Sequence, residues 1–246
     1  MADDTLAWAE FGDTLRLPVD LARDYLGKVP WQAAGFLPQH PLVDIGCGSG
    51  LSTLELADRY PETEIIAVEP DQATRSLLML RIAERPEVRS RTTVLPESIL
   101  DCWLPAQCGG ALLFNVIYFL GGQARDEFWQ RMARVLVPGA PVLMSRSYGG
   151  VPESEVERQL VAEATMGRHT YQRFFEAAPM YDGRMRITTT YVVLRDGQKV
   201  REVVEQVTPW GLDEELVLSE VPVGQFAIEE LNDDYFAIRR VPDLRR

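Results

Sequence analysis

The sequence has few of the residues that build metal sites, disulfide frameworks or polyanion-binding surfaces. It holds three cysteines and two histidines in 246 residues, without a CxxC pair, so we expect neither a disulfide framework nor a zinc site. Its 25 basic residues are outnumbered by 37 acidic ones, which gives a formal net charge of −12. Nucleic acids and anionic membranes are bound through clustered Lys and Arg, so we expect neither as a partner.

Long apolar runs are missing as well. The longest, residues 109–122, is shorter than the ~20 residues that a membrane span needs, and it carries Asn115 in its middle. The first residues are acidic and lack the positive-then-apolar plan of a signal peptide. Apolar residues make up 46% and charged residues 25%, which is close to the average for globular proteins. We therefore expect a soluble, cytoplasmic protein.

Residues 40–150 alternate between apolar runs and helical patterns. The runs typical of strands lie at 40–46, 63–70, 91–97, 110–120 and 140–150, and most are separated by a helical pattern. This alternation predicts a doubly wound, mostly parallel sheet. Before it, helices are expected at 19–27 and 31–37, where Pro18 and Pro30 mark the starts.

After residue 150 the pattern changes. Two helices are expected, at 153–167 and 170–178. The segments 184–195 and 199–210 then flank Asp196-Gly197, a strong hairpin signal. A second antiparallel pair is expected from 225–231 and 235–241.

The sharpest motif is a glycine-rich turn between the first expected strand and the next helix. Gly46, Gly48 and Gly50 follow Asp44 closely, and glycines let a ligand lie against the backbone. Glu69 ends the second expected strand, where an acidic side chain can accept hydrogen bonds from ribose hydroxyls. A dinucleotide motif needs a third glycine at position 51, but that residue is Leu51.

The spacing G-x-G-x-G after Asp44 resembles motif I of the class I S-adenosylmethionine-dependent methyltransferases. Further segments resemble that family in the expected order. These are 68–71 (the ribose-binding motif), 95–98 (the turn near the adenine) and 135–140 (the loop before the fifth strand). Together they cover about residues 40–147, and four ordered motifs are far more specific than one glycine loop.

The resemblance implies S-adenosyl-L-methionine as cofactor and a Rossmann-like sheet of seven strands. It assigns Asp44 to the support of the glycine loop and of the methionine end. The other cofactor-binding residues that it implies are Gly46, Gly48, Gly50, Glu69, Pro70, Glu97, Ser98 and Asn115. No metal is implied.

The expected architecture has four parts along the chain. Residues 1–39 form an N-terminal helical lead and 40–150 the cofactor-binding α/β core. Residues 151–215 form a helical and antiparallel β cap over the active site, and 216–246 a terminal hairpin that completes the sheet.

The segment 187–210 resembles the antiparallel ribbon of small-molecule methyltransferases, including amino-sugar N-methyltransferases. This favours methyl transfer to nitrogen or oxygen of a small molecule, in secondary metabolism, by a chain that can form a homodimer. One departure keeps alternatives open, because residues 108–111 lack the acid with which the family's fourth strand usually begins. The alternatives are a non-methylating reaction such as a cyclisation, or a regulatory subunit that binds the cofactor without catalysis.

The candidate catalytic bases are His169, Tyr118 and Tyr171. Histidine titrates near neutral pH, but residues 167–170 fit a polar junction between helices better than a catalytic position. His40 precedes the first strand, at the end opposite to ligand binding, and is expected to be structural. Cys47 lies inside the glycine loop and is not expected to be a nucleophile.

Overall fold

The computed structural model describes residues 5–15, 26–146 and 155–242. The chain divides into two compact units. The first, called here the core unit, comprises residues 28–148 and 213–246, and the second, the strand unit, comprises residues 1–27 and 149–212. Each is described separately below.

The described elements have the following bounds. The helices are α1 (Thr5–Leu15), α2 (Trp31–Ala34), α3 (Leu51–Arg59), α4 (Gln72–Ala83), α5 (Pro86–Arg89), α6 (Gly122–Val135) and α7 (Glu214–Ser219), with a 3-10 helix at Ile117–Phe119. The strands are β1 (Leu42–Ile45), β2 (Ile65–Val68), β3 (Thr92–Leu95), β4 (Gly110–Leu113), β5 (Pro141–Ser145), β6 (Val156–Met166), β7 (His169–Pro179), β8 (Met185–Arg195), β9 (Gln198–Val207), β10 (Phe226–Asn232) and β11 (Tyr235–Arg240).

The core unit is built on a seven-stranded sheet in the order β10-β11-β5-β4-β1-β2-β3. Strands β1 to β5 are parallel to one another, and β11 pairs antiparallel with both β5 and β10. Every residue of β1, β2, β4 and β5 is buried, as expected for parallel strands covered on both faces. The doubly wound sheet and the terminal hairpin predicted from the sequence are thereby confirmed.

Helix α4 begins with a side-chain cap. The Asp71 side chain accepts a hydrogen bond from the backbone N–H of Thr74 at 2.7 Å, so it caps the first turn. Asp71 directly follows the two residues that end the second strand segment, Glu69 and Pro70. The cap therefore fixes where the helix starts relative to the strand end.

The strand unit contains an antiparallel sheet in the order β6-β7-β8-β9. The hairpin at Asp196-Gly197 is confirmed, and both residues have left-handed backbones, with φ of 52° and 77°. Helix α1 packs on this sheet, and the ring of Phe11 stacks on Tyr191 with centroids 4.8 Å apart.

The helices predicted at 153–167 and 170–178 are wrong, because β6 and β7 occupy this stretch. Glu, Ala, Gln and Arg favour a helix in a local reading, but β7 pairs with β8 along its whole length. The chain reverses at Gly167-Arg168, where Gly167 has a φ of 60°. The partly buried side chains of Ala162, Ala164 and Tyr171 pack against a buried apolar cluster that includes Phe11 of α1 and Tyr191 of β8. This burial against residues distant in the sequence decides the local structure.

Two further sequence expectations concern the rest of the chain. The helix expected at 19–27 lies almost entirely outside the described residues. In the described residues, no helix combines the length and apolar character needed to span a membrane.

Candidate functional site

The candidate site lies where the parallel strands of the core unit end. Ile45 is in register with Val68 and Leu113, and Val68 with Leu95. The turns that follow β1, β2, β3 and β4 therefore begin at the same edge of the sheet. The strand order reverses between the adjacent strands β1 and β4, and such a switch point is where open α/β sheets bind ligands.

The glycine loop after β1 needs its glycines for different reasons. Gly46, Gly48 and Gly50 all have left-handed backbones, with φ of 64°, 56° and 89°. A methyl group added at Gly46 would lie 2.4 Å from Val116 Cγ2, and one at Gly50 would lie 2.4 Å from Leu78 Cδ1. One added at Gly48 would meet no atom within 4 Å. Gly46 and Gly50 are thus packed against the protein, and Gly48 borders open space.

Glu69, at the end of β2, is bonded to this loop. Its Oε2 accepts the backbone N–H of Gly48 at 2.8 Å, and its Oε1 accepts that of Asp71 at 2.8 Å. Burial raises the pKa of the Glu69 carboxyl, and the two backbone donors partly oppose this rise. The Glu69 carboxylate therefore connects the glycine loop after β1 with the capping residue of α4. Pro70, which follows it, is exposed, and its carbonyl accepts a bond from Arg75 Nη1.

Asp44, in β1, is buried beneath the loop. Its Oδ2 accepts hydrogen bonds from the hydroxyls of Ser52 at 2.8 Å and Thr53 at 2.6 Å. Loss of hydration on burial raises the pKa of Asp44 to about 6, against the lowering effect of these two hydroxyls. The carboxylate ties β1 to the first turn of α3, so it supports the loop from below.

Cys47 lies inside the loop and is buried. Burial raises the pKa of its thiol well above the ordinary value, and the nearby charges of Asp44 and Glu69 raise it further. The thiolate is the reactive form of cysteine, so this thiol is held in its inert form. That Cys47 is not a nucleophile stays a prediction.

The turns after β3 and β4 carry the remaining expected cofactor residues. Glu97 is exposed, and Ser98 is partly buried, with its Oγ accepting the N–H of Leu100 at 3.2 Å. Asn115 follows β4 with a φ of 58°, a left-handed conformation that Asn adopts more readily than most residues. Tyr118 lies in the 3-10 helix that follows.

The three candidate bases are divided between the units. Tyr118 lies in the core unit, beside Phe119, with ring centroids 4.9 Å apart. His169 and Tyr171 lie in the strand unit, on β7, with ring centroids 6.3 Å apart. His169 begins a strand after a hairpin turn, so the alternative of a junction between helices is wrong, while its role as a base stays a prediction. His40 precedes β1, at the edge opposite to the glycine loop.

Several residues that shape the site were missed by motif reasoning. They come from the flanking helices and not from the loops. They are Ser52 and Thr53 on α3, Leu78 and Arg81 on α4, and Arg125 on α6. The signal available in the sequence was the spacing of Leu78 and Arg81, which places both on one helix face.

The donor set fits an adenosine-containing cofactor. The open space beside Gly48 lets a ligand approach the backbone, and Glu69 places a buried carboxylate at the end of the next strand. The sequence analysis expected the glycine loop to give backbone contact with the cofactor, and it expected Glu69 to bind the ribose hydroxyls. Among the described residues, no three His, Cys, Asp or Glu side chains come together as a metal-binding group.

Comparisons with known proteins agree with this geometry. Residues 42–139 match the family model described as a methyltransferase domain. A trans-aconitate 2-methyltransferase from Sinorhizobium fredii (strain NBRC 101917 / NGR234) is 32% identical over 123 residues, which is 48% of this chain and 40% of that relative. The matched stretch thus spans less than half the length of that relative.

Solved structures share the fold. An S-adenosylmethionine-dependent methyltransferase from Clostridium acetobutylicum ATCC 824 has a TM-score of 0.68 at 12% identity, covering 90% of this chain and 91% of that one. The glycopeptide N-methyltransferase MtfA, complexed with S-adenosyl-L-methionine, has a TM-score of 0.54 at 18% identity, covering 89% and 92%. At these identities the likeness concerns the fold.

Proposed function

We propose that this chain, in which residues 42–139 form a class I S-adenosylmethionine-dependent methyltransferase domain, transfers a methyl group to nitrogen or oxygen of a small molecule. One observation carries the proposal. The buried carboxylate of Glu69 is bonded to the N–H of Gly48, so the acidic strand end and the glycine loop are in direct contact.

The cofactor, S-adenosyl-L-methionine, supplies a methyl group carried on a positively charged sulfur atom. In the proposal, Glu69 accepts hydrogen bonds from the ribose hydroxyls, with Pro70 completing its turn. The glycine loop offers backbone contact, while Asp44 supports it from below. Glu97 and Ser98 border the adenine, and Asn115 contributes polar contacts at the methionine end.

The chain's remaining task is to align the acceptor and to remove its proton. Alignment alone can lower the barrier by roughly 7–11 kcal/mol, because it replaces a bimolecular encounter by a fixed geometry. A positioned base adds about 10²–10⁴-fold. We assign the base to one of three groups, the Tyr118 hydroxyl, the His169 imidazole or the Tyr171 hydroxyl. An acceptor that is already ionised, such as a carboxylate, needs none of them.

The names of two of the similar proteins support a small acceptor. One is named as a trans-aconitate 2-methyltransferase and the other as a glycopeptide N-methyltransferase. We therefore extend the proposal to secondary metabolism in the cytoplasm. The formal charge of −12 disfavours nucleic-acid and anionic membrane partners. The edge strands β6 and β9 suit pairing with a second copy in a homodimer.

The proposal is tested with cofactor whose transferable methyl is isotopically labelled. The purified chain is incubated with panels of amines, phenols and carboxylic acids, and label in the product is measured. We expect transfer to a member of one panel, and we expect Glu69→Gln to weaken cofactor binding at least tenfold in calorimetry. Transfer at the wild-type rate by Glu69→Gln contradicts the site assignment.

The same experiment separates the alternatives. A substrate that is consumed while the label stays on the cofactor indicates a non-methylating reaction. Tight binding of cofactor without conversion of any panel member indicates a regulatory subunit. Failure of the wild-type chain to bind the cofactor refutes the proposal.

A further inference from the structure

The basic residues of this chain are almost all arginine. Lys28 and Lys199 are the two lysines among 25 basic residues. Arginine presents a planar fork of donors that can be fixed on backbone carbonyls, which a lysine ammonium does less well. At the cofactor edge of the core unit, Arg75, Arg81, Arg125 and Arg131 donate to carbonyls of four different turns.

Arg81 is the member of this set that reaches the glycine loop. Its Nη1 donates to the carbonyl oxygen of Ser49 at 2.7 Å, across 32 positions of sequence. Ser49 stands between Gly48 and Gly50, both of which have left-handed backbones. Three positions earlier on the same helix, Leu78 is fully buried against Gly50. Helix α4 therefore holds the loop by one polar and one apolar contact.

These contacts close a ring of hydrogen bonds. The Gly48 N–H donates to Glu69 Oε2, and the Asp71 N–H donates to Glu69 Oε1. Asp71 caps α4, and Arg81 of α4 returns to the carbonyl of Ser49, next to Gly48. The loop, the strand end and the helix thus fix one another, and only the link through Arg81 lies outside the recognised motifs.

We propose that Arg81 is a positioning residue for the cofactor. Its hydrogen bond to the Ser49 carbonyl fixes the peptide units of the glycine loop, and it thereby orients the backbone N–H groups that face the cofactor. A loop that is already fixed loses less conformational freedom when it binds a ligand. Without Arg81, the peptide units around Ser49 gain alternative orientations, because flanking glycines resist rotation least. The inference rests on the proposed cofactor site and adds a residue to it.

The test compares Arg81→Met, Arg81→Lys and Arg85→Met. Arg85 follows the same helix and binds Asp58 and Glu87 on the exposed side, so its variant controls for loss of a charge near α4. The dissociation constant of S-adenosyl-L-methionine is measured by calorimetry. We expect about a tenfold increase for Arg81→Met, partial recovery for Arg81→Lys, and less than a twofold change for Arg85→Met.

A second measurement needs no cofactor. Amide hydrogen exchange of residues 46–50 should accelerate at least tenfold in Arg81→Met, while exchange in β5 stays unchanged. If Arg81→Met folds poorly, the same comparison is made with Arg81→Lys, for which we expect a smaller acceleration. Unchanged affinity together with unchanged exchange overturns the inference. A wild-type chain that binds no cofactor refutes the proposed function, and the exchange data still decide whether Arg81 holds the loop.

Discussion

Replacing single glycines of the cofactor loop tests its geometry directly. Gly46→Ala places a methyl group 2.4 Å from Val116 Cγ2, in a backbone with a φ of 64°. The left-handed conformation costs a non-glycine residue about 1–2 kcal/mol. Forcing an extra carbon into a packed site costs about 1–3 kcal/mol more. We therefore expect Gly46→Ala to lower the free energy of unfolding by ~2–5 kcal/mol.

Gly48→Ala is the matched comparison. Its φ of 56° is similar, but its added methyl group meets no atom within 4 Å. Only the backbone cost remains, so the loss of stability should be ~1–2 kcal/mol. Gly197→Ala is a control in a hairpin of the strand unit. Gly197 has a φ of 77°, and an added methyl group there also meets no atom within 4 Å. Its loss of stability therefore measures the backbone cost alone, at a position distant from the loop in sequence.

Urea denaturation measures the stability of each variant, and calorimetry measures its affinity for S-adenosyl-L-methionine. Gly48→Ala should bind the cofactor at least tenfold more weakly than wild type, because its methyl group occupies the proposed ligand space, although it should lose less stability than Gly46→Ala. Gly197→Ala should retain wild-type affinity. Equal destabilisation by Gly46→Ala and Gly48→Ala refutes the packing argument, and wild-type affinity in Gly48→Ala refutes the assignment of the space.

Three further predictions follow from buried polar groups. The pKa of Asp44 is raised to about 6, so the folded state holds this proton more tightly than the unfolded chain and loses stability as pH rises through about 4–6. Between pH 5 and pH 8, urea denaturation should show wild type losing roughly 1–1.5 kcal/mol relative to Asp44→Asn, and parallel pH profiles contradict this. Glu220→Ala strands the buried guanidinium of Arg125, whose Nε and Nη2 bind that carboxylate at 2.6 and 2.7 Å, and should cost about 3–5 kcal/mol, measured by urea denaturation. Arg125→Met combined with Glu220→Leu should cost less than Glu220→Ala alone, and the opposite order counts against a stranded charge. Native Cys47 should resist iodoacetamide at pH 8 and react after denaturation, as followed by mass spectrometry, whereas rapid native alkylation contradicts the raised pKa of its thiol.

The core unit was predictable because its signals are local. A buried parallel strand reads as an apolar run, and a left-handed turn needs glycine whatever lies around it. The hairpin at Asp196-Gly197 was identified for the same reason, since it depends on a few consecutive residues. The order of the motifs then gave the resemblance to the methyltransferases, and residues 42–139 match a methyltransferase-domain model.

Strands β6 and β7 of the strand unit were not predictable in this way. Residues 156–166 carry Glu, Gln, Arg and Ala, which satisfy a helix as well as an exposed strand. Their partners on β7, and those of β7 on β8, lie from 3 to more than 20 positions away. The helix propensity of a segment does not depend on which distant strand pairs with it, so a helix was predicted where a strand forms.

The sequence by itself predicted the sheet of the core unit, and its glycine loop and acidic strand end gave the resemblance to the methyltransferases. Each of these depends on backbone conformations that particular residue types require. Tertiary structure alone decided the contact of Arg81 with Ser49, the burial of Asp44 under two hydroxyls, and the β structure of residues 156–179. These depend on which distant segments meet, and their energy arises from burial and hydrogen bonding that exist only once the chain has folded.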